Sequence, residues 1–225
     1  MKPDEDKTNL KEVYNRIADS WSNLRAQPKD YVVEISKNMK GGNVLDLGCG
    51  NCRNLIPFLE RKNKGVGLDY SKSMIKEAKK LLGKKKLKAS LIIADVTSLP
   101  FKSSVFGVIL YLASLHHVPT RKLRTDSLKE VERVSSKEVK SYISVWNRMQ
   151  IKFLWELFLS LFRKKHEFGD IYKPWNYHGQ VLYRFYHLYT KPELKNDLMK
   201  VGFKIDEITD VAYREKSNIL AKVSK

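Results

Sequence analysis

Val44-Leu45-Asp46-Leu47-Gly48-Cys49-Gly50-Asn51 is a strand-forming run that carries an acid and breaks into a tight glycine turn. The next apolar run, Gly65-Val66-Gly67-Leu68, ends in Asp69. A strand, a glycine turn and an acid about twenty residues further on make a nucleoside-binding half-site. Gly48 and Gly50 let the backbone turn sharply and approach a ligand closely. Asp69, at a strand's carboxyl end, can accept both ribose hydroxyls with its two oxygens.

Two more acids extend the pattern. Asp46 can accept hydrogen bonds from the loop or from a ligand ammonium. Asp95 follows Leu91-Ile92-Ile93-Ala94 and is placed to bond an adenine amine, with the Val96 N–H on a ring nitrogen. The full G-x-G-x-x-G of a nicotinamide enzyme is absent, so the pocket reads as one for S-adenosylmethionine. Cys49 and Cys52 have C-x-x-C spacing inside the glycine loop. A zinc site needs four ligands and the chain holds no second pair, so both cysteines read as loop packing and no metal is expected.

Around this half-site, apolar runs alternate with helical patterns. Strands are predicted at 44–47, 66–69, 91–94, 105–112 and 141–145. Helices are predicted at 54–61, at 72–82 with Ser71 as N-cap and Gly83 as stop, and at 121–134. An amphipathic helix opens the chain (about 8–30), marked by Val13, Tyr14, Ile17, Ala18 and Trp21. An aromatic-rich insertion (about 147–189) follows the fifth strand. A helix at 191–200 and two late strands at 203–211 and 217–223 close the chain. The pattern predicts an α/β fold, with a doubly wound, mostly parallel sheet in a single domain, 1–225.

Charge is the unusual part of the composition: 43 Lys and Arg against 25 Asp and Glu leave a net +18. Such an excess suits a polyanion, most simply nucleic acid, with a lysine-rich thermophilic proteome as the other source. Lys76, Lys79, Lys80, Lys84, Lys85, Lys86 and Lys88 form one basic cluster and Arg163-Lys164-Lys165 another. Two cysteines and no signal peptide point to a reducing, cytoplasmic setting. The apolar segment Ile151–Phe162 is too short for a bilayer, which needs about 20 residues, so no transmembrane segment is expected. Lys152, Glu156 and Ser160 form one narrow polar stripe on it. It reads as a helix laid over the core, with a partner-contact or membrane-surface helix as the alternative.

Beyond the cofactor motifs, the chain resembles the tRNA (carboxymethyluridine) methyltransferases over most of its length. The resemblance rests on Val13–Ala18 with Trp21 and Arg25, Ser114-Leu115-His116-His117-Val118-Pro119-Thr120-Arg121, Val145-Trp146, Asp170-Ile171-Tyr172-Lys173-Pro174-Trp175, and Arg184-Phe185-Tyr186-His187-Leu188-Tyr189 with Glu193-Leu194. The last two are the specific part. The sequence departs from the family at Cys52, where a third loop glycine is usual, at Gly107 for Asp, and at Phe185 for Tyr.

The resemblance implies the class I methyltransferase fold, a Rossmann-like seven-stranded sheet with helices on both faces and an antiparallel hairpin at its end. It implies an S-adenosylmethionine-dependent enzyme that esterifies the carboxymethyl group on the wobble uridine of tRNA to methoxycarbonylmethyl. A carboxylate is already ionised at neutral pH, so no general base is needed. Arg25 or Arg184 would hold one carboxylate oxygen, Tyr186 and His187 would hydrogen-bond uracil, and Tyr14 or Trp175 would stack on a base. The donor would be held by Tyr14, Arg25, Asp46, Gly48, Cys49 and Gly50, and by Asp69, Tyr70, Asp95, Val96, Leu115 and His116. The expected partners are the tRNA anticodon stem-loop and a small zinc-containing activator that pairs with the third strand, 89–94. The competing readings are a small-molecule methyltransferase and a non-catalytic RNA-binding subunit of the same fold.

Overall fold

Val44, Leu45 and Leu47 of β1 (Asn43–Leu47) are fully buried, as expected of a strand covered on both faces. The computed structural model describes residues 7–39, 42–160, 167–213 and 216–225. The later strands are β2 (Lys64–Asp69), β3 (Ser90–Ile93), β4 (Phe106–Leu112), β5 (Ser135–Trp146), β6 (Asp170–Tyr177), β7 (Gln180–His187), β8 (Lys204–Tyr213) and β9 (Lys216–Ser224). Seven of them form one sheet in the order β3-β2-β1-β4-β5-β9-β8. The pairs from β3 through β5 are parallel, while β9 runs antiparallel to both β5 and β8. This is the expected doubly wound sheet with its closing hairpin.

Side-chain alternation divides the core in two. Leu45, Leu47, Ile109 and Tyr111 face a cluster completed by Leu128 and Val131 of α5 (Arg121–Val134) and Leu194 and Leu198 of α7 (Lys191–Lys200). Val44, Val108, Leu110 and Leu112 face the other side. There they meet Val32 of α2 (Asp30–Lys37), Phe58 of α3 (Ile56–Glu60), and Ile75 and Leu82 of α4 (Lys72–Lys84). Ser71 caps α4 as expected, accepting the Met74 N–H at 3.1 Å, and donates its hydroxyl to Asn15 Oδ1 at 2.7 Å. That second bond ties α1 (Lys7–Asn23) to the helix beside it. Gly83 does not stop α4, which runs on to Lys84.

The insertion departs most from expectation. It contains a two-stranded hairpin, β6–β7, separate from the main sheet. Before it, α6 (Leu154–Ser160) is only half covered. Phe153 and Leu157 pack with Ile171, Tyr186 and Leu188, whereas Leu154, Trp155 and Phe158 face outward. The reading of this segment as a helix laid over the core therefore holds for one face only. The basic run 163–165 lies outside the described residues. Among the described residues no helix is long and apolar enough to cross a membrane.

Cys52 keeps the backbone of the glycine it replaces, with φ +61°. Its thiol and that of Cys49 are free and buried, and both turn toward Gly67 of β2. A Cβ on Gly67 would lie 2.5 Å from Cys52 Sγ and 3.1 Å from Cys49 Sγ. The loop's second cysteine is thus accommodated by a missing side chain on the neighbouring strand. Gly67→Ala is expected to lower stability by about 1–3 kcal/mol. A Cys52→Ala background should recover part of that loss, read from urea unfolding midpoints. Equal cost in both backgrounds would refute this packing account.

Candidate active site

β1 and β4 are neighbours, yet the chain leaves them toward opposite halves of the sheet. A crevice opens outside the carboxyl ends of strands at such a switch point. The turn after β1 and the loop after β4 meet there without clearance. Gly48 has φ +63°, and a Cβ on it would fall 1.9 Å from Ser114 Oγ. A Cβ on Gly50 would press to 3.0 Å against the Trp21 ring of α1. The two glycines keep the floor of this cleft open.

Asp69 is held rigidly beside them. Its Oδ2 accepts the Gly50 N–H at 2.9 Å and its Oδ1 the Ser71 N–H at 2.9 Å. Each oxygen keeps lone-pair capacity for a ligand hydroxyl. Asp95 Oδ1 accepts the Thr97 N–H and hydroxyl, which orient it at the cleft's edge. Asp46, below the turn, is 1% exposed and its Oδ2 has no hydrogen-bond partner. Burial pushes its carboxyl up to about 8, against the pull of the Lys29 ammonium. A buried acceptor left unsatisfied is costly, and a ligand cation would relieve it.

The opposite wall comes from the insertion. His117 Nδ1 lies 2.8 Å from the Phe185 carbonyl and must donate to it, which leaves Nε2 to accept the Tyr14 hydroxyl at 2.9 Å. Burial pushes His117 down to about 3, so the ring is neutral and this tautomer holds. Arg184 lies beside Tyr14, and its charge pulls the phenol pKa down against the larger effect of burial. Arg184 is 8% exposed and its Nε has no partner. Its guanidinium lies 4.7 Å from the centre of the Trp175 ring, with Arg25 5.6 Å from that ring and 4.7 Å from Trp21. Neither arginine forms an ion pair among the described residues.

The cleft brings together Tyr14, Gly48, Gly50, Asp69, Tyr70, Asp95 and Val96 of the expected donor set. Four expectations need correction. Cys49 turns its thiol into the core against Gly67 and does not line the cleft. Leu115 is fully buried. His116 is 1% exposed and spends Nδ1 on the Trp146 N–H at 3.1 Å, so His117, not His116, faces the cleft. His187 is fully buried, with Nδ1 2.6 Å from Asp170 and Nε2 2.9 Å from Glu193. With both ring nitrogens taken, it positions β7 and cannot bond a base.

Tyr186 lies beside the cleft, stacked on Trp146 at 4.1 Å and hydrogen-bonded to Tyr14. Arg25 sits behind Trp21, outside the donor cleft and toward the insertion. Trp21, Met74 and Ser114 line the cleft and were not expected to hold the donor. The Trp21 signal was present in the helical apolar pattern of the opening segment. Ser114 opened a motif of the resemblance without being assigned to the donor, and Met74 carried no signal, because only the fold brings it to the glycines.

A nucleoside cleft at the switch point of this seven-stranded sheet defines a class I methyltransferase. Residues 44–138 match a family model described as a methyltransferase domain. A protein of Encephalitozoon cuniculi bearing a methyltransferase name is 30% identical over 171 residues, covering 72% of this chain and 70% of that one. The tRNA (carboxymethyluridine(34)-5-O)-methyltransferase of Schizosaccharomyces pombe is 27% identical over 217 residues, covering 85% and 86%. Longer vertebrate relatives also match, and the chain spans about a fifth of their length. Among solved structures, an S-adenosylmethionine-dependent methyltransferase of Methanosarcina mazei has the same fold, with TM-score 0.76, 22% identity, and coverage of 88% of this chain and 98% of that one. The chain belongs to the S-adenosylmethionine-dependent methyltransferase family.

The orphaned Asp46 oxygen and the glycine floor fit that donor, whose methionine end carries an ammonium. Below about pH 8 the ammonium must displace a proton from Asp46. Affinity for S-adenosylhomocysteine is therefore expected to rise with pH between about 6 and about 8, by up to about tenfold per unit. Calorimetry should show no such rise for Asp46→Asn, nor for 5′-methylthioadenosine, which lacks the ammonium. A pH-independent affinity in the unaltered protein would refute the Asp46 contact.

Proposed function

We propose that this methyltransferase acts on tRNA and esterifies a carboxylate on its acceptor nucleoside, the 5-carboxymethyl group of wobble uridine. The observation that carries the reading is Arg184. It is a buried guanidinium with an unpartnered Nε and no ion pair among the described residues, and it is linked through Tyr14 to the donor cleft. Several other charges on the insertion are paired among the described residues. His187 meets Asp170 and Glu193, Arg148 meets Glu193, and Lys173 meets Glu156. A buried cation without an anion is costly, and a carboxylate acceptor supplies the missing partner. The relative in S. pombe, named for this chemistry and matched over 86% of its length, supports the choice of acceptor.

S-Adenosylmethionine supplies, when bound, a methyl on a positively charged sulfur that a carboxylate oxygen can take without a base. Asp46 would hold the donor's ammonium, Asp69 its ribose, and Asp95 with the Val96 N–H its adenine. Arg184 would grip one acceptor oxygen, leaving the other free for the methyl. Trp175, half-buried with the guanidiniums of Arg184 and Arg25 near its ring, is an aromatic surface on which a base would stack. Tyr14 and Tyr186 close the wall between donor and acceptor and keep water from the reacting atoms. The β3 edge, which pairs only with β2 and leaves Ile93 49% exposed, suits addition of a strand from a small zinc-containing activator.

The test is mass spectrometry of wobble nucleosides after incubation with carboxymethylated tRNA. The unaltered protein should form the methyl ester. Arg184→Met should lower kcat/KM at least about thirtyfold, the equivalent of about 2 kcal/mol of a buried charge-assisted contact, with S-adenosylhomocysteine affinity unchanged. Ester formation by Arg184→Met at the unaltered rate would sink the assignment of Arg184. No ester from the unaltered protein, alone or with its activator, would sink the substrate.

A further inference from the structure

From Lys72 to Lys88 the chain carries eight lysines and a single acid, Glu77. Glu77 is spent on Lys80, at 2.6 Å. Lys72, Lys76, Lys79, Lys84, Lys85, Lys86 and Lys88 are exposed and form no ion pair among the described residues. Some surface lysines elsewhere are matched, Lys37 with Glu34, Lys122 with Asp126, Lys191 with Asp210 and Lys225 with Glu132, and others, such as Lys195, Lys200 and Lys204, are not. What sets this helix and the turn after it apart is the density of unpaired lysines, seven within seventeen positions.

The placement of that helix gives the charge a direction. α4 begins at Ser71, in the cleft wall, because it leaves the carboxyl end of β2. It ends at the opposite edge of the sheet, since β3 starts parallel to β2 with Ser90 beside Val66. Thirteen residues at about 1.5 Å each make a path of about 20 Å. Lys72, Lys76 and Lys79 lie within about 40° of one line on its surface, about 6 Å and about 4.5 Å apart along the axis. Lys11 of α1, whose ammonium lies 4.5 Å from the centre of the Tyr70 ring, extends the line to the mouth of the cleft. The N-terminal end of α4 adds its own positive pole where the line meets the cleft.

We propose that the tRNA strand leading from the acceptor nucleoside runs along α4, its phosphates meeting Lys72, Lys76 and Lys79 in turn and then the cluster 84–88. The track rests on the tRNA reading above. It adds a path and a polarity, from the cleft rim to the far edge of β2 and β3, away from the hairpin β6–β7. Phosphate contacts of this kind position a strand without reading its sequence, and each releases counterions on binding.

The experiment compares the salt dependence of binding of an unmodified tRNA transcript. One variant carries Lys72→Gln, Lys76→Gln and Lys79→Gln; a control with the same charge loss carries Lys195→Gln, Lys200→Gln and Lys204→Gln on α7 and β8. S-Adenosylhomocysteine affinity, unchanged in both, shows that both fold. The α4 variant should bind tRNA at least about tenfold more weakly at low salt, with the slope of log K against log salt about 2 shallower. The control should match the unaltered protein. If the unaltered protein binds tRNA and the α4 variant keeps its slope, the track is overturned while the tRNA reading stands. If the unaltered protein shows no salt-dependent tRNA binding, the tRNA reading falls and the track with it.

Discussion

One hydrogen-bonded chain holds the insertion against the donor cleft: the Phe185 carbonyl, His117 and Tyr14, with Arg184 beside Tyr14. It joins three parts of the molecule that are distant in sequence: β7, the turn after β4 and α1. It works only if His117 is neutral, because an imidazolium would leave Nε2 with a proton facing the proton of Tyr14. Desolvation in the cleft wall, which pulls its pKa down to about 3, enforces that state. The same burial keeps the Tyr14 hydroxyl protonated, with its pKa well above the usual phenol range, so the direction of donation along the chain is fixed. Arg184 is thereby aimed by groups that carry no formal charge, and its own charge stays available.

The distribution of satisfied and unsatisfied charge separates scaffold from site. On the scaffold side, His187 lies between two carboxylates, and Glu193 also takes Arg148 and caps α7 through the Thr190 N–H. Arg124, 1% exposed, bonds Glu167 and the carbonyls of Val118 and Pro119, which holds the loop beside the cleft. On the site side, Asp46 lacks a partner for an oxygen and Arg184, without an ion pair among the described residues, lacks one for Nε; Arg124 Nε is also unpartnered, but that guanidinium meets Glu167. A ligand with a cationic end toward Asp46 and an anionic end toward Arg184 would offset both desolvation costs.

The centre of the sheet was legible because β1 and β4 are buried apolar runs and the first two strands lead into a glycine turn and an acid. The run 44–51 with Asp69 and Asp95 marks the cleft from sequence alone. The hairpin β6–β7 was not legible. Its strands carry Pro174, Lys173 and Asn176 among the aromatics, and its two-residue turn is His178-Gly179, with φ +46° and +75°. Asn or Asp before the glycine would have signalled such a turn; His does not. α2 was missed because eight residues after Pro28 carry too short a pattern. The choice of His116 over His117 failed for a different reason. The two occupy one tight turn, Leu115–His117, with their rings edge to face at 4.7 Å, and the Trp146 N–H engages the buried one, His116.

The fold alone leaves the acceptor open, since one sheet and one donor cleft serve many acceptors. What this chain adds lies between β5 and α7, and its chemistry is legible from what it lacks. Trp175 is flanked by Arg184 at 4.7 Å and Arg25 at 5.6 Å, an arrangement that places two like charges near one ring. Burial lowers the Arg25 pKa from its usual value, and repulsion by Arg53 and, less, by Arg184 adds to it. A neutral acceptor would leave that repulsion in place and would have no use for a second guanidinium. An anionic one removes it, and the aromatic face between the cations suits a planar group attached to the anion. The carboxylate-bearing base proposed above would satisfy both demands at once. Under that proposal the basic helix beside the cleft has a role that a free small acid would not require, because an acceptor embedded in a polyanion reaches beyond the cleft to meet it.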